Sequence, residues 1–231
     1  FELMELGPGK GTLAYDVLTE LRELNCLPLQ MHFVETSQSL TQLQRQKMSE
    51  FSDLKCQWYT EIPHEPFCGI ILANEFFDAL PVHRVRFDEP FQEWYVKVTE
   101  HGSDWVLDQV SDPRLLQEMQ TILELYGSSM SYPYDSEIHL AHDEKLLQIS
   151  HILKEGLLLI IDYGFCGSMY YHPQRNTGTL MAHYQHTSSA EVLEQPGERD
   201  LSAHVDFTRL ARKAFDLKLP LLGYTTQAQF L

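Results

Sequence analysis

Between an apolar run at residues 1–6 and a stretch in which Leu13, Val17, Leu18, Leu21 and Leu24 recur at helical spacing lies Gly7-Pro8-Gly9-Lys10-Gly11-Thr12, with glycine at every second position. A buried strand that runs straight into a helix through such a turn restricts the fold more than any other feature of the chain. Glycine there permits positive φ and lets a ligand approach the backbone at the helix N-terminus, where unpaired N–H groups point outward. The continuation repeats the unit. Met31 to Glu35 reads as a second strand, Ser37 as an N-cap, and a polar helix carrying Leu40, Leu43 and Met48 follows. A short strand at Cys56 to Tyr59 and an apolar run Gly69 to Ala73, buried on both faces, come next. Strands alternating with helices imply a parallel α/β sheet.

The rhythm then changes. Residues 82–87, 93–99 and 105–110 alternate with period two and are separated by Asp-Glu-Pro and His-Gly-Ser turn signals, which predicts an inserted antiparallel β-meander. Pro113 opens a helix through Leu115, Leu116, Met119, Ile122 and Leu123. After a tyrosine-rich loop, a second helix is expected from about Ile138 to Lys154 and is ended by Gly156. Leu157 to Ile161 is a strand carrying Asp162-Tyr163-Gly164 at its C-terminal end. Residues 165–200 show no periodicity and read as a long loop, either a functional lid or disordered. A helix at 205–215 and a strand at 217–222 follow, and Thr226 to Leu231 looks like the opening of another helix. The expected division is therefore residues 1–81 as the ligand-binding half of the sheet domain, 82–155 as inserted meander and helices facing a substrate or partner, and 156–231 as the rest of the sheet. Because Phe1 already belongs to a buried strand, an upstream segment is expected, and a targeting signal would lie there.

Charge narrows the function. Lys plus Arg number 17 against 33 Asp plus Glu, a formal charge of −16, which argues against nucleic-acid binding, where basic groups replace phosphate counterions. The longest apolar runs, such as Leu157 to Ile161, fall far short of the roughly 20 residues of a membrane-spanning helix. Cysteines 26, 56, 68 and 166 form no C-x-x-C and no disulfide framework, and suit a reducing compartment. The spacing G-x-G-x-G departs from the dinucleotide G-x-G-x-x-G, and Glu5 stands two residues before the first glycine. A carboxylate there repels a pyrophosphate, which weakens the reading as a nicotinamide dehydrogenase, and attracts the ammonium and sulfonium of S-adenosylmethionine. Glu35 ends the second strand 24 residues after Gly11, where a carboxylate can accept ribose hydroxyls. Asn74-Glu75-Phe76-Phe77-Asp78 follows the fourth strand; in a helical turn Glu75 and Asp78 would share a face and could grip a guanidinium or the cofactor's ammonium. Asp162, a common turn former, and Asp206, a plausible N-cap beside His204, have structural readings as well. His139/His142 and His183/His186 have i, i+3 spacing but no further ligand pair nearby, so no metal is expected.

Taken together, Glu5 to Thr12, Ala73 to His83, Ile161 to Gly164, Tyr170-Tyr-His-Pro173 with Gly178-Thr-Leu180, and Asp200 to Phe207 give the chain a form that resembles class I S-adenosylmethionine-dependent methyltransferases. Within them it is similar to the MidA family, which includes the mitochondrial complex I assembly methyltransferase. Ser202 stands where members usually have Thr, and the family's upstream Pro-Glu-Ile-Ser stretch is not in this chain. The resemblance implies a seven-stranded Rossmann-like methyltransferase sheet, S-adenosylmethionine as cofactor and methyl transfer to a protein arginine. It places the protein in the cytoplasm of a bacterium or the mitochondrial matrix of a eukaryote. The expected cofactor contacts are Glu5, Gly7, Pro8, Gly9, Gly11, Thr12, Glu35 and Asn74. Glu75 and Asp78 would orient the guanidinium, and Tyr163 or His204 would take the proton it loses. The competing reading is a non-catalytic assembly factor that keeps the cofactor fold to bind a client protein.

Overall fold

A computed structural model describes every residue of the chain except 101, 185 and 186. The chain divides into two units, residues 1–77, 145–162 and 214–231 in the first, and 78–144 and 163–213 in the second.

The first unit is built on five parallel strands, β1 (Glu2–Leu6), β2 (Gln30–Val34), β3 (Lys55–Tyr59), β4 (Phe67–Asn74) and β9 (Leu153–Ile161), in the order β3-β2-β1-β4-β9. Helices α1 (Thr12–Glu23) and α2 (Gln38–Met48) make the crossovers. Apolar residues of α1, of α2 and of the turn after it pack against one sheet face: Leu3, Met31, Phe33 and Leu72 with Ala14, Leu18, Met48 and Phe51. Strand order reverses between β1 and β4, so a crevice opens at their C-terminal ends, where open α/β sheets bind ligands.

In the second unit β5 (His83–Phe87), β6 (Gln92–Thr99) and β7 (Gly102–Asp108) form the expected meander; the His101 part of its turn signal lies outside the described residues. Strand β8 (Tyr134–Ile138) completes this antiparallel sheet in the order β7-β6-β5-β8, and α3 (Pro113–Tyr126) packs Leu115, Met119 and Ile122 with Val85, Phe87 and Tyr134. Pro113 follows Asp112, whose carboxylate caps the helix by accepting from Arg114 N.

Several expectations fail. The loop before residue 138 contains β8, whose Tyr134, Asp135, Ser136 and Glu137 are all buried, so polar side chains hide a strand from a hydropathy reading. The helix that follows, α4 (Leu140–Ile152), stops earlier than expected, and Gly156 is no cap: it lies inside β9, at φ 138°, where a Cβ would stand 1.8 Å from Gly69 O. Residues 165–200 are not an unstructured loop. They hold β10 (Gly164–Phe165), α5 (Gly167–Tyr170), β11 (Met181–Tyr184) and β12 (Thr187–Ser189), and β13 (Asp200–Ser202) pairs with β11. β14 (Val205–Asp206) pairs with β10 and leads into α6 (Phe207–Asp216). Among the described residues the run at 217–222 makes no strand: Leu221 and Leu222 are 63% and 76% exposed and have no ladder partner, and the parallel sheet has five strands. A last short helix, α7 (Gln227–Phe230), begins after Thr226 as expected. Among the described residues no helix is long and apolar enough to cross a membrane.

Candidate functional site

The glycine turn leaves β1 and enters α1 with Gly7, Gly9 and Gly11 at φ 62°, 54° and 70°. Gly7 N donates to Val34 O and Gly11 N to Pro8 O, which fixes the turn by its own backbone. Each glycine has its own reason. A Cβ at Gly7 would stand 3.0 Å from the Phe76 ring and one at Gly11 3.2 Å from Gln44 Cγ, whereas one at Gly9 would meet nothing within 4 Å. Gly9 is therefore the position where backbone is bare toward open space, as close approach of a ligand requires.

Beside the turn is a cleft of ≈ 500 Å³, within the usual range for a small-molecule site. Glu5, Gly7, Pro8, Gly9, Thr12, Asn74 and Glu75, all singled out by sequence, line it, and so do Lys10, Leu13 and Asp16. Glu5 dominates its electrostatics. The side chain is 3% exposed, Oε2 is buried without a hydrogen-bond partner, and burial pushes the carboxyl up to about 7 against the opposing backbone hydrogen bond from Ala14. A buried acceptor without a donor is stabilised by a cation. An ammonium group fits it; a pyrophosphate does not.

Glu35 is reached through a residue that helical spacing marks only weakly. Gln44, fully buried on α2, donates from Nε2 to Gly9 O at 2.7 Å and to Glu35 Oε2 at 3.3 Å, while its Oε1 accepts from Trp58 Nε1 at 3.1 Å. Glu35 Oε1 accepts from Ser37 N, and Ser37 Oγ caps α2 by accepting from Leu40 N. Thus Gln44 locks the second strand end to the glycine turn. Its only signal was its i, i+4 relation to Met48, whose face it shares; Leu43, taken with the apolar set, is 47% exposed.

The segment after β4 is not a helical turn. Glu75 has φ 48° and donates its N–H to Ile161 O, and Phe77 N donates to the Asp162 carboxylate at 2.9 Å. The helical face that was to join Glu75 and Asp78 is absent because the left-handed Glu75 bends the chain. Glu75 belongs to the first unit and Asp78 to the second.

Three expected residues come together within the second unit. In the segment 203–205, consecutive backbone N–H groups each donate to a different anchor: Ala203 N to Asp78 O at 3.0 Å, His204 N to Thr179 Oγ1 at 3.0 Å, and Val205 N to Tyr163 O at 2.8 Å. Tyr163 is 61% exposed. The His204 ring stands edge to face with Phe165 at 5.1 Å, its Nδ1 is buried without a partner among the described residues, and burial, then the Arg175 and His183 charges, hold its pKa below the ordinary value. Neutral imidazole can accept a proton. Asp206 caps α6, accepting from Thr208 N and Arg209 N. His139 and His142 stack at 4.3 Å in the interior, and burial keeps His139 neutral. His186, of the other pair, lies outside the described residues, among which no group of three or more His, Cys, Asp or Glu could hold a metal ion.

A family model described as "Putative S-adenosyl-L-methionine-dependent methyltransferase" matches residues 1–225. Similar curated proteins include the mitochondrial protein arginine methyltransferase NDUFAF7 of Rattus norvegicus, 29% identical over 100% of this chain and 56% of its own length. The Danio rerio protein of the same name is 31% identical over 100% and 57%. The Drosophila melanogaster homolog is 32% identical over 90% and 51%. The chain thus spans a little over half the length of the curated relatives it matches. A crystal structure of a Burkholderia thailandensis superfamily protein bound to S-adenosyl-homocysteine matches with a TM-score of 0.88 and 29% identity, over 99% of this chain and 59% of that one.

Proposed function

The chain belongs to this family of S-adenosyl-L-methionine-dependent methyltransferases, and from that premise we propose that it binds S-adenosylmethionine in the cleft beside the glycine turn and transfers methyl to a protein arginine side chain. The observation that carries the reading is the buried Glu5 carboxylate, without a partner at Oε2, set beneath three positive-φ glycines in a crevice at the sheet's switch point. The S-adenosyl-homocysteine held by the Burkholderia thailandensis protein supports the cofactor, and the names of the mitochondrial relatives support the acceptor.

Glu5 would face the cofactor's ammonium, Gly9 would admit it, and Thr12 at the start of α1 and Asn74 at the end of β4 would close the cleft walls. Glu35, held by Ser37 N and Gln44, keeps an acceptor carboxylate at the second strand end for ribose hydroxyls. When bound, the cofactor supplies a methyl carbon already activated by its sulfonium. The protein then has to align a nucleophile, exclude water and remove one proton. Glu75, on the cleft wall, would orient the guanidinium, and of Asp78, Tyr163 and His204, gathered within the second unit, Tyr163 or His204 would receive the proton. Residues 82–155 would present the surface that the protein substrate meets.

Calorimetry with S-adenosylhomocysteine and with NAD tests the cofactor. Binding of the former in preference to the latter is expected, and equal or tighter NAD binding would reject it. Mass spectrometry of proteins incubated with labelled cofactor tests the acceptor, with label on arginine expected. Binding without any transfer would favour a non-catalytic assembly factor.

A further inference from the structure

Of the three N–H anchors around His204, only the middle one is a side chain, and that side chain is itself held by a buried carboxyl group. Thr179 Oγ1 donates to Glu137 Oε2 at 3.0 Å while accepting from His204 N. Glu137 is 0% exposed on β8 and also accepts from Thr179 N at 2.8 Å and Leu180 N at 3.3 Å. The turn before Thr179 is shaped to this carboxylate: Gly178 has φ 82°, and a Cβ there would stand 2.0 Å from Glu137 Oε1. A carboxylate buried this deeply is held by three donors, all from two adjacent residues. A threonine hydroxyl has one proton. Giving it to Glu137 leaves its lone pairs to the His204 N–H, while burial pushes the Glu137 pKa up against the Thr179 and Leu180 bonds that hold it down.

We propose that Glu137 and Thr179 are positioning residues that fix the His204 segment within the second unit and with it the orientation of the imidazole; that this imidazole is the proton acceptor is the methyltransferase reading above, on which the inference rests. The flanking anchors fit the same role, since Ala203 N and Val205 N are tied to the backbone of Asp78 and Tyr163, the other two expected acceptor-side residues of this unit. With Nδ1 enclosed and without a partner among the described residues, proton exchange falls to Nε2. Loss of the hydroxyl would leave the His204 N–H without its acceptor and let the segment turn, moving Nε2 while leaving the glycine turn as it is.

The test compares Thr179→Val, which keeps the shape and loses the hydroxyl, with Thr179→Ser, which keeps the hydroxyl. Three quantities are read: S-adenosylhomocysteine affinity, steady-state methyl transfer to an arginine-containing protein, and the His204 imidazole titration by NMR, assigned with His204→Asn. Thr179→Val should lower kcat about tenfold or more, the loss of one aligning interaction, with cofactor affinity and acceptor KM within about twofold. Its His204 titration should move up toward the ordinary histidine value as the ring becomes better solvated. Thr179→Ser should behave like the natural protein in all three. A Thr179→Val protein with unchanged kcat and unchanged His204 titration overturns the proposal. So does a loss that Thr179→Ser shares, or one matched by equal loss of cofactor binding, because either marks plain packing. If the natural protein binds S-adenosylhomocysteine but methylates no arginine, the functional reading fails separately, and the His204 titration still decides the positioning claim.

Discussion

Replacing Glu5 by Gln should make the ligand-free protein more stable at alkaline pH and a worse cofactor binder, and both effects follow from one buried carboxyl. In the folded state its pKa rises from 4.5 to about 7 because burial penalises the charge. A raised acid pKa means the folded state binds more protons than the unfolded one. The stability this group contributes is therefore complete below pH 4.5 and is lost as pH climbs through about 7. The rise corresponds to about 3 kcal/mol. Gln at this position keeps the shape and cannot ionise. The stability difference between variant and natural protein should grow by about 3 kcal/mol from pH 4.5 to pH 8, which at a urea m-value of about 2 kcal/mol/M is a midpoint shift of about 1.5 M. Trp58, stacked on Phe33 and bonded to Gln44, reports on the first unit if Trp94 and Trp105, in the second unit, are replaced by Phe in both proteins. In the same pH range S-adenosylhomocysteine affinity should rise with pH for the natural protein, by up to about tenfold for each unit by which the ligand's ammonium lowers the carboxyl pKa. The variant should bind weakly and without that dependence. A midpoint difference that is equal at pH 5 and pH 8, with parallel affinity profiles, would refute the assignment of Glu5 as the cation-facing group.

Gly9→Val should abolish S-adenosylhomocysteine binding while circular dichroism stays normal, since the side chain enters open space in a left-handed backbone at a cost of about 1 to 2 kcal/mol; unchanged affinity by calorimetry would mark the turn as structural. Gln44→Leu removes the tie between Gly9 O, Glu35 and Trp58 and should lower unit stability by about 1 to 3 kcal/mol in urea and weaken cofactor binding with it. Glu75→Gln with Asp78→Asn should lower methyl transfer about tenfold or more with little change in cofactor affinity, and the opposite pattern would move both residues into the cofactor site.

Legibility in the sequence followed which side chains obey the burial rule. β1, the glycine turn and α1 were readable because Leu3, Met4, Leu6, Ala14 and Leu18 are apolar and buried, and because alternating glycines admit few conformations. The meander was readable from its period of two. β8 was not, since Asp135 is buried against Arg86 and Glu137 against Thr179; long-range partners make each tolerable, and hydropathy sees only two acids. The 217–222 run failed in the opposite direction: it has strand-like residues and no neighbouring edge, and a strand exists only by pairing.

The same division runs through the site. Residues fixed by local chain geometry, Gly7, Gly9, Gly11 and the Ser37 cap, follow from spacing alone. Gln44, Thr179 and Glu137 act through partners 35, 25 and 42 positions away, and each is a polar residue in a polar stretch until the fold closes around it. Glu75 shows why proximity in sequence is a poor guide here. Three residues from Asp78, it was expected to share a helical face with it, yet its left-handed backbone and its bond to Ile161 O fasten it to the sheet end, while Asp78 is fastened through its carbonyl to Ala203. The chain between them therefore serves two anchors at once, and the pair of phenylalanines it carries divides accordingly: Phe76 packs over Gly7 of the turn, and Phe77 N is held by Asp162 at the end of β9.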